Sequence, residues 1–261
     1  MSDRYDAIII GAGQAGPALA LRLADEGQSV ALVERRHLGG SCVNFGCTPT
    51  KAMIASARAA WAARRAQQLG VIIDGNVRID MAGMRAHADA LVQGSRDSLR
   101  DALQGHQQIR VIDGHARFTA SDRIEVDGQT LTAPRIFIDT GARTAVPPIP
   151  GLADIDYWTP TSATDSTELP EHLIVLGGGP IGVELAQMFQ RFGSRVTLIE
   201  RHGRLLPDED TDVSEAIQHW FEEDGIEVLV GAEASRIEAT ADQVKVILGQ
   251  HLSRFGHGAG K

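Results

Sequence analysis

The chain has 261 residues, of which 43% are hydrophobic and 23% charged, a composition typical of a globular protein with a sizeable core. Its net charge of −9 argues against nucleic acid or an anionic membrane as a partner. No stretch has the apolar length of a membrane span, and the N-terminal residues lack the features of a signal peptide. We therefore predict a cytoplasmic protein with no membrane partner.

The first motif lies near the N-terminus, in AIIIGAGQAGPALALRLADEGQSVALVERR. It reads as strand, G-x-G-x-x-G, helix and second strand, with Gly11, Gly13 and Gly16 in the motif and Glu34 at its end. In such a unit the first glycine makes the turn, the second lets the backbone approach a pyrophosphate, and the third lets helix pack on strand. The acidic residue accepts hydrogen bonds from a ribose diol. Taken alone, the motif is weak evidence, because glycine-rich turns are the alternative explanation.

Both cysteines lie in the segment that follows, GGSCVNFGCTPTK. In an unbroken helix the Cα atoms of Cys42 and Cys47 would be roughly 8.6 Å apart, beyond the roughly 7 Å within which a disulfide closes. A bridge therefore requires a distorted turn, which Gly46 and Pro49 permit. Lys51 follows Cys47 by four residues and shares its helix face. The pair can be half of a zinc site, an inert buried pair or a redox couple.

The middle of the chain is predicted to be helix, helix and sheet. Residues 41–69 are alanine-rich and helical up to Gly70, and residues 80–104 form a second predicted helix. The segment from Ile109 to Arg143 alternates short strands with Gly and Asp turns, which predicts a meander. The proline-rich stretch TAVPPIPG that follows is predicted to link two domains.

A second copy of the motif follows this link, in LIVLGGGPIGVELAQMFQRFGSRVTLIERH. Its motif glycines and its terminal acid align one by one with those of the first copy, and they are Gly177, Gly179, Gly182 and Glu200. Two copies in full βαβ context predict two bound dinucleotides. A cysteine pair between two such sites favours the redox couple over the zinc site, for which no further cysteine exists; no metal site is expected. After this copy, residues 226–248 are predicted to form paired strands.

The cysteine segment resembles the active site of the flavoprotein (pyridine nucleotide) disulfide oxidoreductases, the family of dihydrolipoamide dehydrogenase, glutathione reductase and mercuric reductase. The resemblance implies FAD at the first motif and NAD(P)H at the second. It implies that Cys47 faces the flavin, that Cys42 attacks substrate, and that Lys51 and Glu184 form an ion pair beside the flavin ring. The other residues that it assigns to cofactor binding are Gly40, Ser41, Gly114, His115, Ala116, Thr140, Gly141 and Arg201.

The implied fold is α/β, with two Rossmann-like dinucleotide-binding βαβ domains carrying β-meanders and with the C-terminal interface domain missing. We predict an FAD domain at residues 1–147, an incomplete NAD(P) domain at 148–250 and an atypical tail at 251–261. The tail resembles neither of the family's later segments. In a shifted reading frame, the codons of residues 253–259 can spell a sequence close to a family stretch that follows the nicotinamide domain, so we expect a truncated or frameshifted chain, with a natural tail or a cloning scar as the alternative. Full-length members are expected to be homodimers, and this chain is less suited to dimerise without that domain.

The implied function is electron transfer from NAD(P)H through FAD and the Cys42–Cys47 disulfide to a disulfide or Hg(II) substrate. Glu200 favours NADH, because its carboxylate can bond a 2′-hydroxyl and repels a 2′-phosphate; Arg201 and Arg204 lie nearby and weaken that preference. The alternative is a truncated dinucleotide-binding module without turnover.

Overall fold

The computed structural model describes residues 3–240 and 243–249. Its contacts divide the chain into two compact units. The first unit comprises Met1–Ala52 and Arg85–Thr144, and the second comprises Met53–Met84 and Ala145–Lys261. The predicted α/β architecture with parallel sheets is confirmed. The three continuous domain ranges stay a prediction, and the tail at 251–261 lies outside the described residues.

The described residues form 13 strands and seven α-helices. Strands β1 to β13 are Asp3–Arg4, Ala7–Ile10, Val30–Glu34, Ile109–Asp113, Ala116–Ala120, Arg123–Val126, Gln129–Thr132, Ile136–Ile138, His172–Leu176, Arg195–Glu200, Glu227–Val230, Ala234–Ala239 and Val244–Leu248. Helices α1 to α7 are Ala15–Asp25, Gly40–Asn44, Cys47–Arg65, Met81–Gln104, Pro160–Asp165, Pro180–Phe192 and Thr211–Glu223.

The first unit is built around a parallel sheet of order β4-β3-β2-β8. Strands β2 and β3 are apolar at almost every position because both faces of the sheet are covered. Alternate residues such as Ile9 and Leu32 pack with Leu103 of α4. Their neighbours Ile8 and Val33 pack on the opposite face, against strands β6 and β7. The carboxyl ends of the four parallel strands are thereby held at one edge of a rigid layer.

The predicted meander is corrected at both of its ends. Strands β5, β6 and β7 are antiparallel neighbours, as the turn pattern indicated, and β1 adds to their sheet beside β7. Strands β4 and β8, however, join the parallel sheet on either side of β3 and β2. Local alternation of polar and apolar residues shows that a segment is extended and does not show which partner it pairs with.

The second unit contains a parallel sheet of order β11-β10-β9 and an antiparallel hairpin of β12 and β13. Strand β11 pairs with β10, so the predicted strand pairing after the second motif is correct for β12 and β13 and wrong for β11. Helix α6 begins at Pro180, whose missing N–H is not needed there. It buries Ala186, Phe189 and Phe192 on one face.

The two predicted helices of the middle segment are present, with one break. The second is α4, and the first is divided into α2 and α3, followed by a 3-10 turn at Ala66–Leu69. Gly70 ends that turn with a φ of 77°, as its position after the alanine-rich stretch predicted. No helix among residues 3–240 and 243–249 is long and apolar enough to cross a membrane.

Candidate functional site

The two glycine motifs share the backbone conformation of their first glycine and the close packing of their third. Gly11 and Gly177 both have a φ of 109°, which residues with a side chain rarely adopt. A Cβ on Gly16 would lie 2.1 Å from the carbonyl oxygen of Gly11, and one on Gly182 would lie 1.9 Å from that of Gly177. Only glycine lets each helix approach its strand this closely, which is the packing role that the sequence assigned to the third glycine.

The second glycine of each motif borders open space. Among the described residues, a Cβ on Gly179 would meet no heavy atom within 4 Å. In the same part of the chain, a Cβ on Gly13 would meet only the Oδ2 atom of Asp139, at 3.5 Å. Each motif therefore leaves room for a ligand to approach the backbone before the helix begins.

Glu34, at the end of β3, is bonded to the loop of the first motif. The N–H of Ala12 donates to its Oε2 at 2.8 Å, and the N–H of Arg36 donates to its Oε1 at 2.8 Å. The sequence assigned this carboxylate to a ribose, and it missed the bonds to the loop. A carboxylate has about four lone-pair sites, so it can hold the loop and still accept from a hydroxyl.

Glu200 repeats this arrangement in the second motif. The N–H of Gly178 donates to its Oε2 at 2.7 Å, and the N–H of His202 donates to its Oε1 at 2.7 Å. The Nδ1 of His202 lies 2.6 Å from the same Oε1. Burial raises the pKa of Glu200, but the hydrogen bonds from His202 and Gly178 outweigh it, so the pKa is below its ordinary value. Glu200 is therefore an anion at neutral pH.

The residues predicted around the first dinucleotide are brought together at one edge of the first unit's parallel sheet. Each follows the carboxyl end of a strand, where open α/β sheets bind ligands. Gly114 follows β4, and its N–H donates to the carbonyl of Glu34 at 2.9 Å. Asp139, which the sequence analysis missed, follows β8 and accepts from the N–H of Gly16 at 2.8 Å. Of the other predicted residues, Thr140 and Gly141 follow Asp139 directly and His115 follows Gly114, whereas Ala116 is already the first residue of β5 in the antiparallel sheet.

The cysteines form a disulfide at a break between two helices. The Cα atoms of Cys42 and Cys47 are 4.7 Å apart, so the distorted turn expected from the sequence is present. The break lies at Phe45 and Gly46, between the end of α2 and the start of α3. Pro49 is not part of it, which corrects the sequence interpretation: it lies inside the first turn of α3, where a missing N–H costs nothing. Cys42 is half-buried and Cys47 is exposed.

Asn44 holds this segment in place and was not found from the sequence. Its side chain is buried, and its Nδ2 donates to the carbonyls of Leu38 at 3.0 Å and Gly40 at 2.6 Å. Its Oδ1 accepts from the Nε of Arg96. A buried amide bonded on both its nitrogen and its oxygen fixes the short helix that carries Cys42.

The start of the cysteine segment is joined to the first glycine motif. The N–H of Gly39 donates to the carbonyl of Ala12 at 2.8 Å. A Cβ on Gly40 would lie 2.6 Å from the Cα of Gly13, so the two backbones are in direct contact. Ser41, also predicted to bind the cofactor, is the next residue of α2. Cys42, one half of the disulfide, is thus carried on a helix whose first residues pack on the loop expected to bind a pyrophosphate.

The second motif borders a cavity of about 770 Å³ within the second unit. Gly177, Gly179, Glu200 and Arg201 all line it, together with His202. Its opposite walls come from residues 147–150 and 232–235. Its volume is in the range of small-molecule binding sites, and its lining includes both the acidic residue Glu200 and the basic residue Arg201.

Lys51 and Glu184 lie on helices α3 and α6, in the first and second units respectively. Lys51 is one turn after Cys47, and Glu184 is in the second turn of α6. Their ion pair stays a prediction. Among the described residues, no group of three His, Cys, Asp or Glu side chains is arranged to hold a metal ion.

The chain is similar to three curated proteins of related chemistry. It is 37% identical to a mercuric reductase of Bacillus cereus over 93% of this chain and 38% of that protein. It is 33% identical to a dihydrolipoyl dehydrogenase of Acholeplasma laidlawii over 91% of this chain and 72% of that protein. It is 36% identical to the probable pyridine nucleotide-disulfide oxidoreductase RclA of Escherichia coli, over 94% of this chain and 53% of RclA.

A solved structure of RclA, described as an HOCl-induced flavoprotein disulfide reductase, matches the fold. Its TM-score is 0.81 at 36% identity, with 94% of this chain and 53% of RclA covered. The chain spans about half the length of RclA and less than half that of the mercuric reductase. The model of the pyridine nucleotide-disulphide oxidoreductase family matches residues 5–253. The chain belongs to the pyridine nucleotide-disulphide oxidoreductase family.

Proposed function

We propose that this chain binds FAD at the first motif and NAD(P)H at the second, and passes electrons to the Cys42–Cys47 disulfide. The acceptor beyond the disulfide is a second disulfide or Hg(II). The observation that carries this proposal is the attachment of the disulfide-bearing segment to the first motif through Gly39 and Gly40. A disulfide with a purely structural role does not need to lie next to the first glycine motif. A redox-active disulfide does, because electrons move between groups in close proximity.

The first site fits a flavin dinucleotide in its pyrophosphate and ribose portions. The open space at Gly13 admits the pyrophosphate. The N-terminal end of α1, with its free N–H groups and partial positive charge, attracts the negative charge of the pyrophosphate. Glu34 keeps acceptor capacity for the adenosine ribose, and Gly114 and Thr140 lie on either side of it along the same edge. FAD would supply the two-electron relay between the nicotinamide and the disulfide.

The residues of this chain then act as a thiol couple. A hydride equivalent brings two electrons and one proton, so the S–S bond opens to one thiol and one thiolate. Following the family resemblance, we assign the thiolate to Cys47, which would face the flavin, and the attacking sulfur to Cys42. Cys42 attacks a substrate disulfide and forms a mixed disulfide, and the proton of Cys42 passes to the departing substrate sulfur, which leaves as a thiol. Attack of the Cys47 thiolate on Cys42 then releases the second substrate sulfur as a thiolate and restores the bridge.

We propose NADH as the preferred reductant. Glu200 is buried and ionised at the rim of the cavity, and a carboxylate repels the 2′-phosphate of NADPH. Arg201 lines the same cavity and reduces this discrimination.

The test is the rate at which NADH and NADPH bleach the visible flavin absorbance of the FAD-loaded chain. We expect the second-order rate constant of flavin reduction to be about tenfold or more higher for NADH than for NADPH, which is the effect expected from one unfavourable charge interaction. Glu200→Gln should keep one bond to the loop and bring the two rates to within about threefold. Glu209→Gln, an exposed change at the same cavity, is the matched control and should leave the ratio unaltered.

Three outcomes contradict parts of this account. A clear advantage for NADPH would reverse the cofactor assignment. An unchanged ratio in Glu200→Gln would remove Glu200 from the discrimination. Flavin that binds but is bleached by neither nucleotide would favour a dinucleotide-binding module without turnover.

The substrate class, the dimer and the cytoplasmic location stay predictions for this chain. Among its relatives, one is named a mercuric reductase and another a dihydrolipoyl dehydrogenase, and these names support Hg(II) and a disulfide as the two classes to test.

A further inference from the structure

Asp139 contacts the first glycine motif at all three of its glycines. Its Oδ2 accepts from the N–H of Gly16 at 2.8 Å. A Cβ on Gly11 would lie 2.0 Å from the carbonyl oxygen of Asp139. A Cβ on Gly13 would lie 3.5 Å from the same Oδ2, with no other heavy atom of the described residues within 4 Å. The carboxylate therefore lies beside the space through which a pyrophosphate must approach the motif.

At the first two glycines of the second motif, no comparable neighbour is found among residues 3–240 and 243–249. A Cβ on Gly177 or Gly179 would meet no heavy atom of the described residues within 4 Å. The closest contacts of Gly182 are the backbone of Gly177 and the side chain of Val175. Among the described residues, a carboxylate bonded at the start of the helix is thus a feature of the first motif.

We propose that the negative charge of Asp139 lowers the affinity of the first site for its dinucleotide. This inference rests on the proposed function of that site. In the ligand-free chain its negative charge stabilises the positive N-terminal end of α1, the place that the pyrophosphate takes. When the dinucleotide is bound, the same charge repels the two negative charges of the pyrophosphate. The Asp139 side chain therefore stabilises the ligand-free site and destabilises the dinucleotide-bound site.

The test is Asp139→Asn in the full chain. Asparagine keeps an oxygen acceptor for the N–H of Gly16 and removes the charge. We expect FAD, titrated by the quenching of its fluorescence, to bind the variant about three- to tenfold more tightly than the parent at low ionic strength, with a smaller difference at high salt. The thermal midpoint of the FAD-free variant should be lower than that of the parent. If the role of Asp139 were purely structural, Asp139→Asn would lower both the affinity for FAD and the thermal midpoint.

Asp122→Asn, an exposed change in the same unit, is the control for net charge and should bind FAD as the parent does. Equal or weaker FAD binding by Asp139→Asn than by the parent would overturn the inference and leave the proposed FAD site standing. Binding by the variant and not by the parent would support it strongly. Absence of binding in both proteins would overturn the inference and the proposed FAD site together.

Discussion

Replacing Asp224 with alanine is expected to lower the free energy of unfolding by about 3–5 kcal/mol. Its side chain is only 8% exposed and accepts from Arg191 at 2.8 Å. It also accepts from the indole Nε1 of Trp61 at 3.1 Å and from Gln187 at 3.2 Å. The variant leaves Arg191, 17% exposed, without its partner, and an uncompensated buried charge costs more than a lost contact.

Urea unfolding followed by tryptophan fluorescence measures this loss, because Trp61 is itself a member of the cluster. The guanidinium groups of Arg65 and Arg191 lie 4.6 Å and 4.9 Å from its ring centroid. Asp208→Ala, an exposed change in the same unit, is the matched control and should alter stability by no more than about 0.5 kcal/mol. A loss below about 1 kcal/mol in Asp224→Ala would show that the cluster does not stabilise the second unit.

Replacing either cysteine with serine is expected to lower the rate of NADH-dependent reduction of a substrate disulfide at least about a thousandfold. The thiol–disulfide exchange needs the sulfur atoms of both cysteines. The two variants should nevertheless differ in their spectra. Cys42→Ser keeps Cys47 as its single thiol and should give a long-wavelength thiolate-to-flavin absorption band with bound FAD and no reductant. Cys47→Ser should give no such band.

Absorbance spectra of both FAD-loaded variants across neutral to alkaline pH measure this difference, and the parent with its disulfide intact is the control. A band in Cys47→Ser alone would exchange the proposed roles of the two cysteines. Equal bands in the two variants would contradict a fixed orientation of the pair toward the flavin.

The parts of the fold that follow from backbone constraints could be predicted from the sequence. Gly11 and Gly177 require the same positive φ, and Gly16 and Gly182 require the same close approach of helix to strand, so the repeat alone located both βαβ units. The break between Cys42 and Cys47 followed from the length of a helical turn. These features depend on residues near one another in the chain.

The features of the fold that depend on residues far apart in the chain could not be predicted from the sequence in this way. Strand β8 pairs with β2 across more than one hundred residues of chain, and its alternating pattern did not reveal this partner. Asn44 and Asp139 contribute through bonds to residues far along the sequence, Arg96 and Gly16. A signal was present for Asp139, since an acidic residue at the end of a predicted strand lies at the ligand edge of a parallel sheet.

The most direct test of electron transfer to the disulfide is a count of free thiols by alkylation and mass spectrometry. The chain, loaded with FAD and mixed with NADH without oxygen, should gain two alkyl labels, on Cys42 and Cys47. NADH without FAD should give none, and a chemical reductant should give two. If FAD is bound and NADH still leaves the bridge closed while the chemical reductant opens it, the Cys42–Cys47 pair is not the electron acceptor of this chain.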